Sequence, residues 1–312
     1  MKHLLSRNIF SKWNCHHLHI DKAYTLTRDN FRNSQAHMKS KWNIMRDIKK
    51  EYTYGDLYKR MLNVTQHLVN NGCINMRTFI DVDDTVGLEP LYVAVDVKNY
   101  WKNHNINLQI GTQLLNGLES SENIKLFMEA SNLVDFIGCL PSRDTFPEKH
   151  LDIVFDRARE LDKDVEAHLD QCNIPTEYET ELFCDYVEKY NFKGKARAIH
   201  CISLACHPIE YQNHIATRLR KLNIGVIVCP SAALSMVQHN EFKTPIHNSI
   251  APIGVFIDND ISIGIGIDNI SDIFMPFSDG NIEFELRLLV ESSRLYDIDA
   301  LQNIISNDMG FN

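Results

Sequence analysis

Short apolar runs rich in Ile, Val and Phe alternate along the chain with longer stretches whose apolar residues recur every three to four positions. The short runs fit buried parallel strands, which are covered on both faces and so read as nearly continuous apolar segments. Eight are found: Asn14–His19, Ile74–Val82, Ile106–Gln113, Val134–Leu140, Asp164–His168, Ala196–Cys201, Ile224–Cys229 and Ile261–Ile267. Helical spacing fills stretches between them, as in Asp56–Asn70, Leu91–Asn103, Glu148–Leu161, Glu177–Tyr190 and Ile209–Lys221. Asn or Gly closes several of these, at Asn71-Gly72 and at Asn223, as suits helix C-termini. Eight strand–helix units predict an α/β fold closed into a (β/α)8 TIM barrel rather than an open doubly wound sheet. A single domain over residues 1–312 is expected. One segment interrupts the alternation. Residues 22–55 follow the first strand and contain KSKWNIMRDIKKEY, a basic helical stretch carrying Trp42. A long insertion there reads either as a lid over an active site or as a solvated surface helix, and spacing leaves both open.

The 312 residues suffice for one large core, and 44% hydrophobic with 23% charged residues is ordinary for a globular chain. The net charge of −9 argues against a nucleic-acid partner, which calls for a basic face. No apolar run reaches the length of a membrane helix; the longest, Ile250 to Ile267, is broken by Asp258, Asn259 and Asp260. The N-terminal MKHLLSRNIFSKWN lacks the apolar run of a signal peptide. The eight cysteines are scattered with no C-x-x-C pair, a pattern of reduced thiols rather than of a disulfide framework. A cytoplasmic protein is expected, with a small-molecule substrate and no membrane or nucleic-acid partner. A homo-oligomer stays open.

Barrel enzymes place their chemistry at the C-terminal ends of the strands. The first strand ends in His17-Leu18-His19, the fifth in His168 and the sixth in His200, and Asp268 follows the eighth. Residues two apart share a face of a strand, so His17 and His19 can meet one ion. Each signal is weak alone: an H-x-H pair arises by chance among 14 histidines, His168 can be a hydrogen-bonded core residue, and Asp268 can belong to a turn. Together they form a borderline ligand set for one divalent ion, Zn2+ or Fe2+. His16 would point to the opposite face, and a slip of one residue would put it in place of His17. Cys172, Cys201 and Cys229 fall near the same strand ends, where packing is the simpler role. Asp81, Asp83 and Asp84 read either as pocket residues or as a turn of solvated carboxylates.

At these residues the sequence resembles the amidohydrolase superfamily, in its cytosine deaminase-like branch. The matching tracts are NCHHLHIDKAYTL, RTFIDVD, EAHLDQ, HCISL, CPSA, TPIHNSIAP and GIDNISDIFMPFSDGN, in the family's order and over nearly the whole chain. The resemblance implies a mononuclear metal barrel that hydrolyses a C–N bond, by deamination or amide hydrolysis, in a small polar heterocycle or amide. It puts the metal ligands on His17, His19, His168 and Asp268, and a catalytic histidine beside the metal on His200. Lys22 completes H-x-H-x-D-K and, by the same resemblance, faces the active site; the bland alternative is a solvated lysine. His247 lies in a tract shared with the relatives and, with His239, reads as a pocket or a surface residue.

Four departures from the family pattern bear on the chemistry. Gln171 stands where deaminases of this branch carry a proton-shuttling Glu. An amide cannot exchange protons in that way, although it can donate a hydrogen bond to a substrate. Leu114-Leu115-Asn116-Gly117 stands where cytosine deaminases carry a base-reading Gln, so that amide is lost. Phe79 replaces a polar residue in Arg77-Thr78-Phe79-Ile80-Asp81. Finally, relatives carry a β-sandwich built from segments before the first strand and after the last helix; here it is expected to be lacking, with a short final helix. The alternative to an active hydrolase is therefore a truncated, catalytically impaired metal-binding remnant of the family.

Overall fold

A computed structural model of the chain describes residues 12–236 and 250–311. Among the described residues there are eight strands: β1 (Trp13–Leu18), β2 (Cys73–Asp81), β3 (Asn107–Gln113), β4 (Ile137–Cys139), β5 (Val165–Leu169), β6 (Ala196–His200), β7 (Gly225–Val228) and β8 (Ile263–Ile265). Each lies on one of the eight apolar runs. All ladders are parallel, in the order β1-β2-β3 and β4-β5-β6-β7-β8. Two seams close the ring. Asp135 N donates to the Ile110 carbonyl at 2.7 Å, and a parallel bridge joins Gly111 to Phe136. At the other seam Asp268 N donates to the His17 carbonyl at 3.0 Å, and His19 N donates to the Asp268 carbonyl at 3.3 Å. The α/β barrel expected from eight strand–helix units is what forms.

Strand four is shorter than its apolar run because Asp135 breaks the ladder: its carboxylate accepts from Ile110 N at 2.7 Å, where a backbone carbonyl would otherwise sit. The helices are α1 (Met38–Lys49), α2 (Tyr54–Asn70), α3 (Glu89–Lys102), α4 (Ser121–Leu133), α5 (Pro147–Leu161), α6 (Glu179–Lys189), α7 (Ile209–Lys221), α8 (Pro230–Ser235), α9 (Ile253–Asp258), α10 (Ile282–Ser293) and α11 (Ile298–Ser306). Side chains cap several of them: Thr53 accepts from Asp56 N, Ser120 from Asn123 N, Asn281 from Glu283 N and Asp297 from Asp299 N. The last two helices are α10, of 12 residues, and α11, of nine. None of the described helices is long and apolar enough to cross a membrane. The eight cysteines are free.

The barrel interior is layered by the two-residue period of its strands. Along β2 the inward series is Arg77, Phe79, Asp81. At the bottom Arg77 Nε lies 3.2 Å from Glu166 of β5, and Arg197 Nη1 of β6 donates to the same carboxylate oxygen at 2.8 Å. Phe79, Phe136, Ile199 and Ile227 form an apolar middle layer with Met309 against it. The C-terminal segment reaches this floor: Phe311 stacks under the Arg77 guanidinium at 4.4 Å, and its carbonyl accepts from Asn107 Nδ2 at 2.9 Å.

Candidate active site

Above the apolar layer the strand ends converge. His17 ends β1 on the inner face, His19 follows it, His168 belongs to β5, His200 closes β6, and Asp268 comes three residues after β8. All five are at most 7% exposed. Their rings nest closely, with His17 4.8 Å from both His19 and His168 between ring centres and 5.5 Å from His200. Asp268 Oδ1 lies 3.5 Å from His17 Nε2 and 3.3 Å from His19 Nε2, while Oδ2 lies 3.8 Å from His200 Nε2. His168 Nε2 is 3.4 Å from His19 Nε2, and its Nδ1 faces the Cys139 carbonyl at 3.4 Å, which directs Nε2 into the cluster. His200 and Asp268 adopt left-handed backbone, at φ 75° and 70°. Non-glycine residues seldom do so, and such strain concentrates at functional sites.

His16 does not take the outer face, as strict alternation predicts. In β1 the span from Cys15 to Leu18 pairs with only Met76 to Thr78 of β2, so β1 carries one extra residue as a bulge. The bulge absorbs the additional histidine of the first tract. His16 sits against Phe311, with ring centres 5.1 Å apart, and His17 keeps the site.

Burial drives the His17, His19, His168 and His200 imidazoles below their ordinary range, His200 to about 4, so all four are neutral near pH 7. Burial alone would raise the Asp268 carboxyl, but the contacts with His17 and His19 prevail and hold it well below the usual carboxylate range. Both nitrogens of His17 are buried without a hydrogen-bond partner. Orphaned imidazole nitrogens facing an ionised carboxylate are costly unless an ion fills the gap between them. The ring nitrogens of His17, His19 and His168 lie within 4.8 Å of one another, as do the donor atoms of His17, Cys229 and Asp268. The donor set thus fits a divalent ion held by His17, His19, His168 and Asp268. Burial raises the Cys229 thiol well above its ordinary value, in keeping with packing.

A cavity of about 30 Å3 adjoins the cluster, and its polar lining includes Lys22, Gln113, His168, Gln171, His200 and Asp268. Lys22 is 1% exposed, which overturns the solvated reading. Its Nζ donates to Asp81 Oδ1 at 2.8 Å and to both oxygens of Asp21 at 3.3 Å. Lys49 of α1 reaches Asp81 Oδ2 at 2.9 Å and also pairs with Asp83. Asp81 and Asp83 are therefore buried partners of lysines, and only Asp84 is exposed, paired with Arg46. Trp42, Met38, Leu115, Leu140 and Phe274 complete the wall. Gln113 was not singled out in the sequence. The signal was available, since it ends the inward series Gln109, Gly111, Gln113. His239 and His247 lie outside the described residues.

No protein-family model matches the chain. An uncharacterized protein of Haemophilus influenzae is 29% identical over 245 residues, covering 77% of this chain and 88% of that one. N-isopropylammelide isopropyl amidohydrolase of Pseudomonas sp. is 22% identical over 288 residues, covering 89% and 67%. The structure of 5-methylcytosine deaminase from Klebsiella pneumoniae, solved with 5-fluorocytosine, superposes with a TM-score of 0.88 at 19% identity, covering 96% of this chain and 74% of that one. The chain has the barrel fold of these proteins and, in fold and in sequence, resembles the cytosine deaminase-like branch of the amidohydrolase superfamily.

Proposed function

We propose that the chain is a metal-dependent hydrolase of a non-peptide C–N bond in a small polar heterocycle or amide. The observation that carries this reading is the convergence of four neutral imidazoles, one of them (His17) with neither nitrogen hydrogen-bonded, and one ionised carboxylate, from four different strand ends, beside a single buried cavity. A divalent ion at His17, His19, His168 and Asp268, Zn2+ or Fe2+ by its donor set, would supply the Lewis acidity that makes water nucleophilic at neutral pH. Asp268 is placed to accept a proton from the attacking water and to return it to the leaving nitrogen as the C–O bond forms and the C–N bond breaks. Neutral His200 holds a substrate heteroatom through its ring nitrogen. Lys22, its ammonium fixed by Asp21 and Asp81, keeps its proton and offers a hydrogen bond rather than serving as a base. Gln171 binds substrate, since a carboxamide cannot shuttle protons.

The segment at 22–55 serves as the lid. Met38 and Trp42 of α1 face the cavity, so movement of α1 would open it to substrate.

Elemental analysis of protein purified without chelator, beside Asp268→Ala, tests the centre. About one ion per chain in wild type and loss of it in the variant are expected. A panel of amides, pyrimidines and triazines then tests the chemistry. Stoichiometric metal without cleavage of any C–N bond would replace this reading with the impaired remnant, which the amide at Gln171 favours. A folded wild type without metal would make the ligand residues relics.

A further inference from the structure

Two carboxamides in the cavity wall are uncommitted. Gln113, at the end of β3, is 3% exposed, and its Oε1 is buried with no hydrogen-bond partner. Gln171, two residues beyond β5, is 4% exposed, and its Nε2 is buried with no partner. Both line the cavity that His168, His200 and Asp268 line. A buried amide atom left unpaired loses the water it had in the unfolded chain and gains nothing in return. Two such atoms of opposite character in one cavity call for a ligand that brings a donor to Gln113 and an acceptor to Gln171.

The charges of the wall narrow the ligand. The Lys22 ammonium is already shared between Asp21 and Asp81, and Asp81 and Asp83 also hold Lys49. Behind the wall, three carboxylates against two lysines leave neither ammonium free to pair with an anion, so only the ion itself could attract one. Leu115, Leu140 and Trp42 supply apolar surface for a small ring.

We propose that Gln113 and Gln171 are specificity-determining residues that read the N–H and the carbonyl of one neutral lactam or cyclic urea, Gln113 accepting and Gln171 donating. The proposal deepens the hydrolase reading and rests on it for the identity of the pocket as the substrate site.

Binding rather than turnover tests it. The probes are 2-pyrrolidinone, N-methyl-2-pyrrolidinone, which lacks the N–H, and pyroglutamate, which adds a carboxylate. Each is titrated by NMR against wild type, Gln113→Leu and Gln171→Leu. Wild type is expected to prefer 2-pyrrolidinone over its N-methyl form by about tenfold, since a buried acceptor left unpaired discriminates strongly. Pyroglutamate should bind more weakly than 2-pyrrolidinone. Gln113→Leu should erase the N–H preference, whereas Gln171→Leu should weaken both neutral lactams alike and keep it. Gln113→Met serves in its place if the leucine variant does not fold. Equal binding of the two neutral lactams to wild type overturns the proposal, as does an N–H preference that survives loss of the Gln113 amide, because sterics alone would then explain it. Tighter binding of pyroglutamate, or no binding of any lactam, overturns it too. Failure of hydrolysis with the N–H preference intact would count against the hydrolase reading alone; hydrolysis without that preference would count against this proposal alone.

Discussion

At Gly266 a methyl group has nowhere to go. A Cβ there would lie 2.6 Å from the Cβ of His17 and 3.0 Å from the His17 backbone nitrogen and oxygen. The seam between β8 and β1 closes at this contact, and it sets where His17 stands relative to Asp268. Backbone cannot rotate away as a flexible side chain can, so Gly266→Ala must shift the strand itself. The expected result is a folded protein whose affinity for metal falls about tenfold or more, as when the support of a ligand is disturbed. Competition against a chelator of known affinity measures this, with a melting curve as the control. Unchanged affinity would show that the seam does not position the ligand. The strand period does not show which residue Gly266 admits; the closed seam does.

Helix α1 forms part of the cavity wall. Trp42, Met45 and Lys49 recur on its buried face, while Arg46 and Lys50 lie on the exposed one. A lysine on the buried face makes the helix look uniformly basic by sequence, and this is why the solvated reading could not be set aside there. The charge is neutralised by Asp81 and Asp83, carried on and just beyond β2. The ammonium of Lys41 donates to the Phe274 carbonyl at 3.4 Å, and the Arg143 guanidinium lies 5.6 Å from the centre of the Trp42 ring. Trp42→Ala tests the proposed lid without touching a proposed ligand. Metal stoichiometry should stay the same while a chelator strips the ion several-fold faster, and about 3 kcal/mol of stability should be lost with the buried ring. A stripping rate equal to that of wild type would rule out a covering role.

For the molecule as a whole, the C-terminal segment is the floor of the barrel. Asn14 Nδ2 donates to the Asn307 carbonyl at 2.9 Å, Arg197 donates to the Met309 carbonyl, and Phe311 lies under Arg77. These contacts cover the buried Arg77–Glu166–Arg197 cluster, whose charges are costly in the interior unless fully paired. The middle aromatic and aliphatic layer separates this charged floor from the histidines above. Phe311→Ala should cost about 3 kcal/mol through lost packing and an uncovered guanidinium, read as a lower midpoint in denaturant. Metal content should not change, because Phe79 and its neighbours intervene. Loss of metal together with stability would mean that floor and site are coupled.

What the sequence determined by itself is local and periodic. Eight apolar runs marked eight strands, and the ends of the first, fifth, sixth and eighth carried His17, His19, His168, His200 and Asp268, because strand order and strand ends in this fold follow from chain order. What only the tertiary structure decided depends on contacts between distant segments. The bulge that keeps both His16 and His17 inside arises from pairing with β2. The burial of Lys22 is set by Asp81, 59 positions away. The floor depends on Met309 meeting Arg197 across 112 positions. The strand period already marks Gln113 as inward, but that its Oε1 is left unpaired depends on what surrounds it in the closed ring. Periodicity reports which face of an element is apolar; it does not report which charge on another element meets that face, and in this chain the buried charges surround the site.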